Sequence, residues 1–148
     1  MIDFDAPIEW MLANLSGQIP GLKKFGRVLP AMKTSKQRAD AAQVDGFFQF
    51  CRIGLYSARE LPGGGNFTMW RAIYRLDLWH AYGVDGDKAI NLWLPQVIAA
   101  IKAYPSLGDT VSSLVTVLPR RDPPDDMVGE IACSYGIVMV HTDIRDYS

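Results

Sequence analysis

The sequence predicts an α+β fold in which a single antiparallel sheet of about four strands carries two main helices on one face. The first observation is a long β-hairpin, since residues 47–56 and 67–80 are dense in aromatic and β-branched residues. Between them, the glycine-rich run 61–66 is typical of a turn. Second, apolar residues recur at helical spacing both before and after the hairpin. Third, two strand-like runs close the chain, and this order of elements favours an α+β domain.

The first helix is predicted over residues 5–15. Asp5 is a candidate N-cap, and Pro7 lies in the first turn, where its missing N–H costs nothing. The apolar face consists of residues at i, i+3, i+4 and i+7: Ile8, Met11, Leu12 and Leu15. Gly17 and Pro20 are expected to end the helix.

The second helix is predicted to start with Asp85 or Asp87 as its cap and to extend to about Tyr104. Its apolar stripe is formed by residues spaced three or four apart: Ile90, Leu94, Val97, Ile101 and Tyr104. Pro95 cannot donate a hydrogen bond inside a helix. The sequence therefore predicts either a kink at Pro95 or a helix that begins near Leu94.

The last two strands are predicted over residues 111–118 and 129–143, which are rich in valine and isoleucine. The segment 119–128 is predicted to be a loop, because prolines and charged residues crowd it. All 148 residues are expected to form a single domain. Within that domain, residues 33–46 are predicted to be a flexible insertion loop and residues 57–66 the tip of the hairpin.

The composition excludes several classes of protein. A net charge of −1 argues against bulk nucleic-acid binding, which needs a clear basic excess. Cys51 and Cys133 lie in strand-like runs and are interpreted as buried free thiols, with a cross-strand disulfide as the alternative. The sequence shows neither a signal peptide nor an apolar run of about 18 residues, so a soluble, cytoplasmic protein without a membrane partner is expected.

The second arm of the hairpin has two different faces. One face is almost entirely apolar and is expected to look into a core: Trp70, Ala72, Tyr74, Leu76 and Leu78. Of these, Trp70, Tyr74 and Leu76 are expected to pack on the second helix through Leu94, Val97 and Ile101. The other face mixes charged and large apolar groups: Arg71, Ile73, Arg75, Asp77 and Trp79. A charged rim around apolar anchors is typical of a partner surface, so an interface is predicted there, with Trp79 as an anchor. Further candidate contacts lie at the hairpin tip and in the later loop: Leu61, Phe67, Arg120 and Arg121.

The sequence predicts no catalytic residue, no metal site and no cofactor. His80 and His141 lack the neighbouring ligands of a metal site. The aspartate pair before the second helix resembles the start of a calcium loop, but Gln96 occupies the position where a glutamate is needed. The glycine run 63–65 is not followed by the Lys-Ser/Thr of a phosphate-binding loop. For Arg120 and Arg121, a loop neutralised by neighbouring aspartates is the alternative to a partner contact.

The layout as a whole resembles the tail-terminator, or tail-completion, proteins of long-tailed bacteriophages, the group of the lambda minor tail protein U. The resemblance covers most of the chain and consists of pattern features: the helix Pro7–Leu15, the hairpin Phe47–Tyr82, the helix opened by Asp85-Gly86-Asp87, two closing strands and the loop Arg120–Asp126. The segment Lys33–Gln43 departs from the family pattern.

The resemblance implies a structural, non-enzymatic subunit that forms a homo-oligomeric ring, with six copies expected. Such a ring caps the finished tail tube and joins it to the head-proximal connector or neck protein. The implied location is the head-proximal end of the virion tail, after assembly in the host cytoplasm. The tail tube protein is an implied partner, and DNA passes through the lumen without specific recognition.

Two other functions remain open from the sequence. One is a small ligand-binding or enzymatic α+β domain with its pocket between sheet and helices. The other is a nucleic-acid-associated protein that uses residues 33–38 together with Arg120 and Arg121. Since no convergent polar groups are expected on the core faces and the charge is close to neutral, the structural ring subunit is favoured.

Overall fold

The computed structural model describes residues 2–29, 43–44, 47–63, 65–129 and 131–147. Nearly all of the predicted insertion loop lies outside these residues. The described chain has an α+β arrangement with two helices. In order, the elements are α1 (Ala6–Leu15), β1 (Phe25–Gly26), β2 (Gln43–Val44), β3 (Phe47–Leu61), β4 (Thr68–Ala81), α2 (Val84–Lys102), β5 (Ser113–Arg120), β6 (Asp125–Val128) and β7 (Ile131–Asp146).

The sheet is larger than predicted and is mixed rather than antiparallel. Its strands follow the order β1-β3-β4-β7-β5, while β6 pairs with the beginning of β7. The four long strands pair antiparallel, but β1 runs parallel to β3. The prediction of one antiparallel sheet of about four strands is therefore wrong, since the described sheet has six strands and β2 adds a small ladder with β3.

The additional strands are short. The sequence indicates either a short strand or an extended connector over residues 23–30, which contain β1, whereas β2 and β6 were not predicted. A two-residue strand such as β1 cannot show an alternation, and its pairing depends on tertiary contact, as in the bond from the Cys51 N–H to the Lys24 carbonyl, 2.8 Å long. The predicted loop 119–128 is also partly strand, because β5 continues to Arg120 and β6 begins at Asp125. Pro119 is tolerated there because β5 lies at an edge of the sheet.

The hairpin of β3 and β4 is one of two long antiparallel pairings among the described strands, the other being that of β4 with β7. It runs from Gln49 paired with His80 to Leu61 paired with Met69, with a bulge at Tyr56. β3 extends through residues 57–61, half of the predicted tip 57–66, so the turn is shorter than expected. The long antiparallel pairing fixes which side chains of β4 face the helices and which face away.

Both helices form where predicted, but their starts differ in detail. The Asp5 side chain makes no cap hydrogen bond; instead Asp3 Oδ1 accepts the N–H groups of Asp5 and Ala6 at 2.9 and 3.1 Å. Helix α2 begins at Val84 and continues through Pro95 to Lys102, so the alternative start near Leu94 is wrong. The side chain of Pro95 is exposed, as expected for a residue that interrupts the helical hydrogen bonding.

The helices and one sheet face enclose the main core. Tyr74, Leu76 and Leu78 of β4 are fully buried in one cluster with Val97 and Ile101 of α2, as predicted. Trp70 differs, because its ring packs edge-on against Phe4, with 5.7 Å between ring centroids. The rest of this cluster includes residues of every layer: Ile8, Met11, Leu15, Cys51, Ile53, Ile90, Leu94, Val117, Val138 and Val140.

The close approach of α2 to β7 depends on Gly136. A Cβ at this position would lie 2.8 Å from the Ile90 side chain and 3.2 Å from that of Leu94. Because real Cβ atoms essentially never approach to 2.8 Å, any larger residue would force the Ile90 side chain, or the helix that carries it, to shift. Gly136 pairs with Leu78, so the contact lies at the middle of the helix-covered face.

Candidate functional site

The face of the sheet turned away from the helices, called the outer face here, carries the candidate functional site. Alternation along β4 places Arg71, Ile73, Arg75, Asp77 and Trp79 on it, opposite to the helix-packed residues. The cross-strand register adds outer-face neighbours from β3 and β7: Phe50, Arg52, Tyr135, Ile137, Met139, His141 and Asp143. The predicted interface residues of the second hairpin arm therefore do share one face.

A buried carboxylate organises the centre of this face. Asp77 is only 2% exposed, and Oδ2 accepts hydrogen bonds from Arg52 Nη2 at 2.9 Å and Arg52 Nε at 3.2 Å. Its Oδ1 accepts from Arg75 Nε at 2.9 Å and from the Tyr135 hydroxyl. The Tyr135 hydroxyl in turn accepts a hydrogen bond from Arg75 Nη2 at 2.8 Å. Both carboxylate oxygens are thus satisfied by fixed donors, as a buried charge requires.

This network changes how Tyr135 titrates. Burial, together with its hydrogen bond to the Asp77 carboxylate, raises the pKa of Tyr135 to about 12. The phenol therefore stays protonated at neutral pH and acts as a donor to Asp77. In this arrangement the Tyr135 hydroxyl and the two arginines hold the Asp77 carboxylate in place.

Trp79 lies inside the molecule, which corrects its predicted role. Its side chain is 2% exposed, and its indole N–H donates to Asp126 Oδ2 at 2.9 Å. The ring stacks on Tyr135 with 5.6 Å between centroids, and the Arg52 guanidinium lies 5.2 Å from the Trp79 ring centroid. Trp79 belongs to a second core cluster on the outer face and is not an exposed anchor: Phe48, Phe50, Trp79, Val128, Cys133, Tyr135 and Ile137.

The other predicted interface residues are dispersed. Arg71 pairs with Asp143 through Nε–Oδ1 at 2.5 Å and Nη2–Oδ2 at 3.3 Å. At the hairpin tip, Phe67 lies against Tyr147, with 5.4 Å between ring centroids, and the Arg145 guanidinium lies above it. Leu61, which pairs with Met69, is partly buried.

Arg121 holds α2 to the loop before β6. Its guanidinium donates to Asp87 Oδ1 at 2.6 Å and to Asn91 Oδ1 at 2.9 Å, and also to the backbone carbonyls of Pro124 and Tyr135. This explains the aspartate at position 87 as an ion-pair partner rather than a cap. Arg120 is exposed and donates to the Asp122 carbonyl at 3.1 Å. Of the two arginines, Arg120 is the more exposed, since the Arg121 side chain is 20% exposed.

An open concavity of about 400 Å³ lies where the outer face meets the free edge of β3. We call it the arginine concavity, and it is lined by Arg27, Arg52, Gly54, Leu55, Tyr56, Arg75 and Asp77. Tyr56, at the bulge of β3, is 58% exposed and lies 5.8 Å from the Arg75 guanidinium. The surface therefore combines several guanidinium groups with exposed apolar and aromatic area.

A second surface feature lies at the opposite side of the sheet, where β4 ends, β6 pairs with β7 and α2 begins. It contains three exposed apolar side chains, Tyr82 (65%), Val84 (72%) and Met127 (57%). Two adjoining concavities there share Tyr82 and Asp125, and the larger has a volume of about 520 Å³. We call this surface the acidic corner, because residues 82–88 and 121–127 carry five aspartates against Lys88 and Arg121, a net charge of −3.

The remaining candidate groups are buried or dispersed. Cys51 and Cys133 are free and buried, as predicted, and burial raises the pKa of Cys133 to about 12 and that of Cys51 still further. His80 is buried beside Trp93, with 5.6 Å between ring centroids. Among the described residues, no group of three or more His, Cys, Asp or Glu side chains is placed to hold a metal ion. No described helix is both long and apolar enough to span a membrane.

Two members of the central network, Arg52 and Tyr135, were not among the predicted site residues. The signal that identifies them is the strand register, which places Arg52 opposite Asp77 and Tyr135 opposite Trp79. The expectation concerned polar groups on the core faces, whereas this network of polar groups converges on the outer face. No known family model matches the sequence, and no curated protein sequence matches it.

Proposed function

We propose that this chain is a structural subunit that forms a ring in a phage or phage-like tail, where it caps the tail tube and joins it to the head-proximal connector. The identity of the assembly comes from the resemblance of the element order to tail-terminator proteins. The observation that carries the ring is the open sheet, in which β3 beyond Arg52 and the whole of β5 lack an outer neighbour among the described strands.

Open strand edges offer unpaired backbone N–H and C=O groups to another chain. Here the two open edges differ in sequence and lie on opposite sides of the sheet, with β4 and β7 between them. Contact between two different patches is head-to-tail, and such contact generates a closed ring when the rotation allows it. On β5, the exposed Val115 and Leu118 add apolar area to the edge, which favours coverage by a neighbour.

The decisive experiment is electron microscopy of assembled tails that carry a labelled copy of this protein. The expected result is a cluster of label confined to the head-proximal end of the tail, in several copies per particle. Label spread along the whole tube, or a single copy per particle, would contradict the proposal. The mass of the purified protein at rising concentration provides a second measurement, since a ring subunit should reach a defined oligomer.

A small ligand-binding or enzymatic domain is the second candidate, and one observation favours it. Arg52, Arg75, Asp77 and Tyr135 converge beside the concavity of about 400 Å³, which is within the size range of small-molecule sites. Screening the protein against carboxylates, phosphates and nucleotides by calorimetry tests it. Saturable binding that disappears in Arg75→Gln, with the fold retained, would favour this function over the structural one.

A further inference from the structure

We propose that the arginine concavity of one copy receives the acidic corner of the next copy, so that carboxylates of the corner bind the guanidinium groups. This inference rests on the proposed ring function and names the two surfaces that meet. It concerns the concavity defined above at the β3 edge and the corner formed around Tyr82, Val84, Asp125 and Met127.

The concavity has guanidinium groups that are fixed in place and still able to bind. Arg52 donates to Asp77 through Nε and Nη2, while Arg75 donates to Asp77 through Nε and to the Tyr135 hydroxyl through Nη2. At the Nη1 of either arginine, no hydrogen-bond acceptor is found among the described residues. Two arginines against one buried aspartate leave a local charge of +1. Because their side chains are already ordered, binding a carboxylate costs less conformational entropy than it would for free arginines.

Arg27 adds a third guanidinium at the rim. It pairs with Asp5 at 2.7 Å and Glu9 at 3.5 Å, and these two carboxylate side chains are 73% and 64% exposed. Exposed ion pairs contribute little to stability, so Arg27 can exchange these partners for an incoming carboxylate without a large loss.

The corner is complementary to the concavity, because it has the opposite charge and also exposes apolar side chains. Asp85, Asp122 and Asp125 are exposed there, next to the apolar side chains of Tyr82, Val84 and Met127. In the concavity, exposed Leu55 and Tyr56 flank the arginines. Interfaces are enriched in tyrosine, methionine and arginine, and complementary charge at the rim sets the register of the partners. A free phosphate ion would satisfy the arginines but would leave the apolar side chains of both surfaces exposed, so we favour a second copy as the occupant.

The two surfaces cannot meet within one molecule, because the β3 edge and the β6 corner lie on opposite sides of β4 and β7. Each copy therefore offers one surface to the preceding copy and the other to the following copy. This is the heterologous contact that closes into a ring.

Gly54 allows a test that leaves the Asp77 network intact. It lies on the outer face opposite Arg75, and a Cβ at this position would meet no atom within 4 Å. Gly54→Glu should place a competing carboxylate beside the guanidinium groups and weaken self-association at least tenfold, measured by sedimentation equilibrium. Gly54→Ala is the matched control and should associate like the wild type. Thermal melting of each variant establishes that its fold is retained.

Charge reversal at the acidic corner provides an independent test. Asp125→Arg alone should also weaken association at least tenfold, while the double variant Gly54→Glu/Asp125→Arg should recover most of it, since the reversed pair again attracts. If Gly54→Glu and Asp125→Arg each form rings or oligomers as readily as the wild type, the inference is wrong and the ring function still stands. Tight binding of inorganic phosphate to the wild type, with association unaffected by either variant, would also overturn it. A wild type that does not self-associate, either alone or on tails, would instead overturn the proposed function.

Discussion

The two faces of the sheet are both largely buried at their centres, yet they are built from different chemistry. On the helix-covered face, β4 contributes Ala72, Leu76 and Leu78 to an apolar core closed by α1 and α2. On the outer face, the same strand contributes Arg75 and Asp77 to a network of charged hydrogen bonds, with Trp79 beside it. An apolar core is tolerant of small shifts, whereas a buried ionic network requires every donor and acceptor to be placed.

Under the proposed function, the difference also separates the face that stabilises the fold from the face that recognises a partner. The packing on the helix-covered face is non-directional, and its contribution to the free energy of folding comes from the apolar area removed from water. The outer face holds guanidinium groups in fixed positions at the margin of an open concavity. A fixed, partly exposed array of charges gains specificity for a partner rather than a large share of folding free energy. Substitutions on the two faces should therefore have different consequences.

The largest effect is expected for Leu76→Ala on the helix-covered face. Leu76 is fully buried between Ile53 and Val138 of the neighbouring strands, so its truncation leaves a cavity. The free energy of unfolding should fall by about 2–5 kcal/mol, measured by denaturant titration. Leu118→Ala, at a 53% exposed position of β5, is the control and should change it by less than about 0.5 kcal/mol. Equal losses in the two variants would contradict the assigned core.

A smaller but distinct loss is expected for Asp77→Asn on the outer face. The amide would turn an NH₂ group toward donors of Arg52, Arg75 or Tyr135, so that two donors face each other. We expect a loss of about 1–3 kcal/mol, less than a fully buried unpaired charge would cost, because both arginines reach solvent. Unchanged stability would mean that the network does not contribute to the fold. Asp85→Asn, at an exposed position in the first turn of α2, is a same-chemistry comparison outside the network.

The third effect depends on pH. The pKa of Tyr135 is about 12 in the folded protein and about 10 in an unfolded chain, so the folded state retains the proton longer. Its stabilising contribution is therefore complete below about pH 10 and is lost as the pH rises towards 12. In Tyr135→Phe, the decline of unfolding free energy between these pH values should be smaller by on the order of 1–2 kcal/mol.

Tyr74 and both cysteines are present in the wild type and in the variant, so their contributions to the pH dependence cancel in the comparison. Parallel pH profiles would show that Tyr135 is not coupled to the fold.

Sequence periodicity was sufficient to predict the helix-covered face. Apolar residues at helical spacing in α1 and α2, and at alternate positions of β4 and β7, identify that core because burial of apolar area selects them. The short strands were not predictable in this way. β1 is two residues long, so the sequence left residues 23–30 open between a short strand and an extended connector. β6 lies in a stretch of prolines and charged residues that predicts a loop. Both strands depend on pairing that only the folded chain provides.

The outer face was predicted only in part, for a related reason. The alternation of β4 placed Arg75, Asp77 and Trp79 together, but a charged residue next to an aromatic one looks the same in sequence whether it is exposed or buried. The deciding information is the register of β3 and β7, which brings Arg52 and Tyr135 to Asp77 from residues 25 and 58 positions away. Trp79 was accordingly predicted to be exposed, although its neighbours cover it.

The smallest effect is expected for the Arg71–Asp143 pair, which lies on the outer face towards the hairpin tip. The two side chains are 24% and 20% exposed, and the contact is bidentate, at 2.5 and 3.3 Å. Its hydrogen bond with Asp143 raises the pKa of Arg71, which is charged with or without this contact throughout the ordinary pH range. A double-mutant cycle with Arg71→Gln and Asp143→Asn should give a coupling of about 0.5–1 kcal/mol, decreasing with added salt because the pair is partly solvated. A coupling several times larger, or one insensitive to salt, would mean that this pair behaves like the buried Asp77 network. The contrast between the solvated margin and the fixed centre of the outer face would then be lost.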